Sequence, residues 1–212
     1  MLFNRTVGGT SNNRSGQKPR EHLDWPPHMA IRPIQLLGSP ALRAHCEPVA
    51  NVRSPAVRVV GDDLQETFRD LRSRHGYGRG LSAPQIGAPI RIVYIELDEP
   101  LLLINPSIVD IGKRDVHVWD DCFSIPGLLV RVQRANRIKL EYEDLSGKRQ
   151  QVEAEGALAE LLQHEIEHLD GVLIVDHPVG LDPFCIREEW NKHYAGAGKY
   201  SEPFERDAGP IL

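Results

Sequence analysis

The sequence predicts an α+β fold. Two segments show helical apolar periodicity, and the strand-like runs fall mostly in a block between them. No apolar stretch approaches the roughly 18 residues of a membrane span; the longest, Leu101–Ile104 and Val172–Val175, are strand-sized.

Taken in order, the first helix is expected over Pro55–His75, where Val57, Val60, Leu64, Phe68 and Leu71 recur at helical spacing. Ser54 is placed to cap it, Pro55 suits its first position and Gly76 ends it. Gly78–Gly87 reads as a Gly/Pro-rich loop. Strands follow at Ile90–Ile95 and Leu101–Asn105, the second stopped by Pro106, with a further strand over Ser107–Val118. Leu128–Gln133 and Arg137–Glu143 alternate, and Ser146–Gly147 turns the latter into an antiparallel partner, Lys148–Glu153. Gly156–Asp170 is the second helix, broken by Gly171. A short strand, Val172–Val175, and a last helix over Asp182–Tyr194, capped by Asp182 with Pro183 at its first position, complete the expectation.

Of 212 residues, 41% are hydrophobic, which suffices for a core and excludes disorder throughout. The net charge of −5 argues against a basic nucleic-acid footprint, so no direct sequence-specific nucleic-acid binding and no membrane partner are expected. Three widely spaced cysteines (Cys46, Cys122, Cys185) make no disulfide framework and suit a reducing compartment, here the cytoplasm. Residues 1–28, rich in Gly, Ser, Asn, Arg and Pro, are expected to be a disordered extension, residues 29–180 the folded domain, and 181–212 a C-terminal helix and tail. The extension lacks the apolar core of a secretory signal. Its first 20 residues carry four basic and no acidic side chains, which weakly resembles an organelle transit peptide; a start at Met29 is the simpler reading.

The sharpest local signal is Gln163-His164-Glu165-Ile166-Glu167-His168. Two histidines four residues apart share a helix face, beside a stripe made by Leu158, Leu162, Ile166 and Leu169. Imidazoles beside a core are costly unless they hold something, and the intervening Glu165 suits a general base and acid next to a metal site. The third ligand is open on spacing alone. Glu188 or Glu189 would fit a zinc protease, while Cys122 upstream would complete a thiolate-bis-imidazole set with a fourth position left for water.

Three segments then line up with one family. Gly78-Arg79-Gly80-Leu81-Ser82-Ala83-Pro84-Gln85-Ile86-Gly87 resembles the GxGLAAPQIG motif of the peptide deformylases, Asp120-Asp121-Cys122-Phe123-Ser124 resembles EGCLS, and Gln163–Gly171 resembles QHExDHLxG. Order and spacing agree across roughly residues 31–178. The resemblance implies antiparallel and mixed sheets packed around a central HExxH helix, with an N-terminal helix. It implies Cys122, His164 and His168 as metal ligands, Glu165 as acid/base, and the Gln85 amide and Phe123 N–H as oxyanion donors. The implied ion is Fe²⁺, with Zn²⁺, Ni²⁺ or Co²⁺ tolerated. The implied activity is removal of the formyl group from formyl-methionyl nascent peptides, with formate released. Gly78, Arg79, Gly80 and Asp121 would contact the peptide; Val118, Ala157, Glu160 and Leu161 would line the side-chain pocket.

The chain departs from the pattern. Asp120 replaces a Glu that pairs with an Arg in the family, for which Arg134 has the right spacing; we expect the pair to survive by a small backbone shift. Asp121 replaces Gly and adds a carboxylate near the metal, and Glu160 stands where an apolar pocket residue is common. These leave open an amidase acting on another N-acyl group. A silent formyl-peptide binder is disfavoured by the intact Cys/His/His/Glu/Gln set. Family members often dock at the ribosome through the C-terminal segment, but residues 182–212 hold six acids against four bases, which leaves transient contact at most.

Overall fold

A computed structural model describes residues 31–198; the expected N-terminal extension, residues 1–28, and the tail beyond 198 lie outside the described residues. The elements are α1 (Pro55–His75), β1 (Gly80–Ser82), β2 (Ile92–Glu96), β3 (Pro100–Ile111), β4 (Arg114–Asp121), β5 (Leu128–Ala135), β6 (Arg137–Glu143), β7 (Arg149–Glu155), α2 (Gly156–Leu169), β8 (Phe184–Ile186) and α3 (Arg187–His193). They form a five-stranded antiparallel sheet, β1-β2-β3-β6-β7, and a three-stranded antiparallel sheet, β4-β5-β8.

Strand alternation explains why the large sheet needs a helix on each face. Ile92, Tyr94 and Ile104 pack with Val57, Val60, Leu64 and Phe68 of α1. Val93, Ile95 and Leu103 pack instead with Leu161, Leu162, Ile166 and Leu169 of α2. A third cluster, Val118, Val130 and Val132 of the small sheet with Leu42, Leu173 and Ile174, closes the remaining side and includes Cys122. The expected α+β class stands, with α2 central.

α1 forms as the sequence indicates: Ser54 Oγ accepts from Ala56 N at 3.3 Å, and Gly76 takes φ +76° and donates to Arg72 O. Its buried face also holds Asp63, which sequence periodicity did not single out and which pairs with Arg32 at 2.6 Å. α2 is buried around most of its circumference. Gln163, on the arc opposite the apolar stripe, bonds both Ala135 N and Ala135 O of β5 at 2.9 Å. That arc therefore faces the small sheet.

Several boundaries need correction. β3 runs through Pro106 rather than stopping there, because a register shift between Ile104 and Ser107 removes the need for a proline N–H. Asn105, at φ +51°, holds this bulge by accepting from Val49 N at 2.7 Å and donating to Val49 O at 3.0 Å. The run expected over Ser107–Val118 is split at 112–113 between β3 and β4. The Gly78–Gly87 loop contains β1 and a 3₁₀ turn, Ala83–Ile86. Val172–Val175 is not a strand; Ile174–Asp176 forms a 3₁₀ turn. The helix expected over Asp182–Tyr194 begins only at Arg187, because Phe184–Ile186 pairs with Leu128–Val130 as β8. Asp182 and Pro183 therefore do not cap it.

Candidate metal centre and its cavity

Three buried side chains converge where α2 passes the end of β4. Cys122 leaves β4 directly, and His164 and His168 present one face of α2. Their donor atoms all lie within 4.8 Å of one another. Cys122 Sγ is 3.2 Å from His168 Nε2, and the two imidazoles stand edge-on with centroids 5.0 Å apart. Ser124 N and Gln85 Nε2 each donate to the sulfur at 3.4 Å.

The surroundings orient these donors. Asp120 Oδ2 takes His164 Nδ1 at 3.0 Å and Arg134 Nη2 at 2.9 Å, so the pair with Arg134 survives the shorter side chain. Arg134 is wholly buried, and its Nη1 lies 2.6 Å from Glu167, which also meets His177 Nε2 at 3.2 Å. Binding Nδ1 of His164 leaves its Nε2 for a ligand. Burial opposes charge on His164, but Asp120 and the Cys122 sulfur outweigh it and hold the imidazole pKa well above its usual value. Burial and the neighbouring His164 push His168 down to about 3. Its buried Nδ1 has no hydrogen-bond partner among the described residues. A thiol and two imidazoles packed this closely, with Nδ1 of His164 engaged by Asp120 and Nδ1 of His168 buried without a partner among the described residues, match the donor set of a divalent cation, which takes thiolate and neutral imidazole.

Glu165 lies beside this cluster. Burial raises the pKa of its carboxyl, and the Ser82 hydroxyl reaches both that carboxylate and the Glu165 carbonyl, the latter at 2.8 Å. Gly80 comes so close that an added Cβ would sit 2.8 Å from Glu165 Oε1. The Gln85 amide is aimed from both ends: Oε1 accepts from Ser82 N at 2.8 Å, while Nε2 donates to Ser124 Oγ at 3.2 Å and toward Cys122.

A cavity of about 260 Å³ opens over these groups. Of the residues picked from sequence it brings together Gly78, Arg79, Gly80, Gln85, Asp121, Cys122, Phe123, Leu161, His164 and Glu165. His168 sits just beneath, against the sulfur. Val118, Ala157 and Glu160 are not in its wall. Val118 packs with Val130 and Val132 in the third apolar cluster, two residues back along β4 from Asp120, and Ala157 and Glu160 line a second cavity.

Sequence reasoning missed the opposite wall, which holds Tyr77, Trp119, Arg187 and Trp190. The guanidinium of Arg187 stacks over Tyr77 at 4.1 Å and forms an ion pair with Asp121, so the extra carboxylate is neutralised. Tyr77 in turn stacks on Phe123, with ring centroids 5.6 Å apart and planes within 12°. Gly78, at φ +117°, has no room for a side chain against the Phe123 ring. Only the pairing of β8 with β5 brings Arg187 here, and that contact leaves no local mark in the sequence.

Comparison with known proteins agrees with this geometry. The family model described as polypeptide deformylase matches residues 31–183. The chain is 37% identical over 150 residues to the peptide deformylase of Dictyoglomus thermophilum, covering 70% of this chain and 94% of that one. It is 40% identical over 155 residues to that of Mesorhizobium japonicum, covering 70% and 85%. Among solved structures, the peptide deformylase of Thermotoga maritima superimposes with a TM-score of 0.65 at 32% identity, over 71% of this chain and 99% of that one. That of Synechococcus elongatus, solved with actinonin, gives 0.65 at 27% identity over 93% and 100%.

Proposed function

The chain belongs to the polypeptide deformylase family, and from that premise we propose how its residues divide the work. It is a metal-dependent hydrolase that removes the formyl group from N-formylmethionyl nascent peptides. Cys122, His164 and His168 would hold the divalent ion. When bound, that ion supplies Lewis acidity and makes water a competent nucleophile near neutral pH.

The remaining steps belong to the protein. Glu165, its carboxylate in reach of the Ser82 hydroxyl, accepts a proton from the attacking water. The formyl oxygen, as it becomes an oxyanion, receives hydrogen bonds from Gln85 Nε2 and the Phe123 N–H. The C–N bond breaks, Glu165 returns the proton to the departing amine, and formate and a free N-terminus leave. Asp120 acts through His164 by fixing its tautomer, and is a positioning residue.

The observation that carries this reading is the convergence of three buried donors within 4.8 Å, with Glu165 beside them. We take Fe²⁺ as the native ion from the family resemblance; Zn²⁺, Ni²⁺ and Co²⁺ suit the same donors. The cytoplasm suits the free thiols, with Cys46, Cys122 and Cys185 all unbridged. The acidic balance of the C-terminal segment supports transient ribosome contact only. The test is formate release from formyl-Met-Ala-Ser by anaerobically purified protein, beside Glu165→Ala. Rate should fall by about 10²–10⁴ in the variant with roughly one ion per chain retained. Faster acetate release from acetylated peptides than formate release from formylated ones would favour the broader N-acyl amidase instead.

A further inference from the structure

Two cavities meet at one ion pair. The first is the candidate active site, with Arg79 in its wall. The second, about 450 Å³, is lined by Val116, Ala135, Gly156 and Ala157, with Arg134, Asn136 and Glu160 as its polar members. Arg79 Nη2 donates to both oxygens of Glu160, at 2.9 and 3.1 Å, and its Nη1 donates to Ala157 O at 2.9 Å. The guanidinium therefore stands in the active-site wall while both of its acceptors belong to the second cavity. Glu160 is only 2% exposed.

The position of the pair matters for substrate. Glu160 precedes His164 by one turn of α2, so it lies on the ligand-bearing flank. Arg79 sits between Gly78 and Gly80, and Gly80 abuts Glu165. β1 is an edge strand of the large sheet, the kind of position where an extended peptide adds to a sheet. On the deformylase reading, a peptide laid along β1 with its acyl carbon at the metal ligands would pass Arg79, which lines the cavity next to the Gly80 that abuts Glu165. Apolar residues could seal this partition at no greater cost, since desolvation offsets much of the attraction in a buried ion pair.

Building on the deformylase reading, we propose that the Arg79–Glu160 pair is a specificity-determining partition. It closes the second, largely apolar cavity to the first side chain of the substrate. Short first side chains fit as they are, and a methionyl side chain has to displace the guanidinium.

The test is a series of formyl-Xaa-Ala-Ser peptides in which Xaa runs from alanine through aminobutyrate and norvaline to methionine, with affinities of the corresponding deformylated peptides measured by calorimetry. In the wild type, kcat/KM and product affinity should level off or fall beyond aminobutyrate. In Arg79→Ile/Glu160→Leu, which removes both charges together, the methionine-to-aminobutyrate ratio should rise roughly tenfold or more, mostly through KM. A wild type that already favours methionine over aminobutyrate about tenfold overturns the proposal, as does a folded double variant with an unchanged ratio. The wild-type arm decides the matter even where the double variant does not fold. Absence of formate from every peptide fails the underlying activity instead, and the product-affinity series still decides the partition.

Discussion

Asp120 shows how much one buried carboxylate can organise. Its Oδ2 is shared by His164 Nδ1 and Arg134 Nη2, and its Oδ1 accepts from Asp121 N at 2.9 Å. Replacing it by Asn keeps the shape but removes the charge facing a buried arginine. Asp120→Asn should weaken metal affinity by about 10–100-fold, read by competition with a chelator, because His164 loses the partner that fixes its tautomer. Affinity within twofold of wild type would place the orienting role elsewhere. At this scale the sequence was most informative where chemistry demands particular residue types at fixed spacing: Cys122, His164, Glu165, His168 and Gln85 all meet at one centre. It was least informative where a side chain's role depends on a distant partner. Asp121 reads as a surplus acid until Arg187 is brought against it. Glu160 reads as a polar intrusion into a pocket until Arg79 covers it.

Elements built from local contacts were legible. α1 carries its cap, its apolar period and its terminating glycine in contiguous sequence, and the β6–β7 hairpin carries its turn. That turn is closed by Asp144, whose carboxylate accepts from Ser146 N at 2.9 Å, Lys148 N at 3.1 Å and Gln150 Nε2 at 2.8 Å. Hydrogen bonds from the Ser146 and Gln150 side chains outweigh burial and hold this acid below its ordinary 3.8. A carboxyl lowered in the folded state stabilises above its unfolded pKa and loses that contribution as pH falls through the folded value. The melting-temperature gap between wild type and Asp144→Ala should therefore be widest above about pH 5 and narrow steadily toward pH 2. A gap constant across that window would mean that the turn is held by shape alone. The elements misread were those whose existence is decided across the molecule. β8 is three residues long and forms because β5 offers it an edge, so a helical pattern starting at Asp182 gave way to a strand. β3 passes Pro106 because Asn105 and Val49 secure a bulge there.

At the scale of the whole molecule, the metal ligands come from two layers. His164 and His168 belong to α2, which packs on the large sheet, while Cys122 belongs to the small one. Besides the ligands, these layers are joined by Gln163, by the Asp120–Arg134–Glu167 chain and by Ala135 of β5, which packs in the same apolar cluster as α2. An ion bound at this seam does more than chemistry: it adds a cross-link that exists only in the folded state. Binding to the native chain alone stabilises by about 2.7 kcal/mol when free metal is 100 times its dissociation constant. For a chain of this size each kcal/mol moves the melting point by about 2–4 °C, so chelation should lower it by roughly 5–10 °C. The loss should also be uneven. Amide exchange should quicken first in β4, β5 and the segment bearing Cys122, while β2, β3 and α1, whose core contains no ligand, keep their protection. Cys122→Ser should reproduce the chelated pattern in the presence of metal. Equal melting points with and without chelator, or exchange that quickens uniformly, would show that the two layers hold together without the ion and that the site is preformed by packing alone.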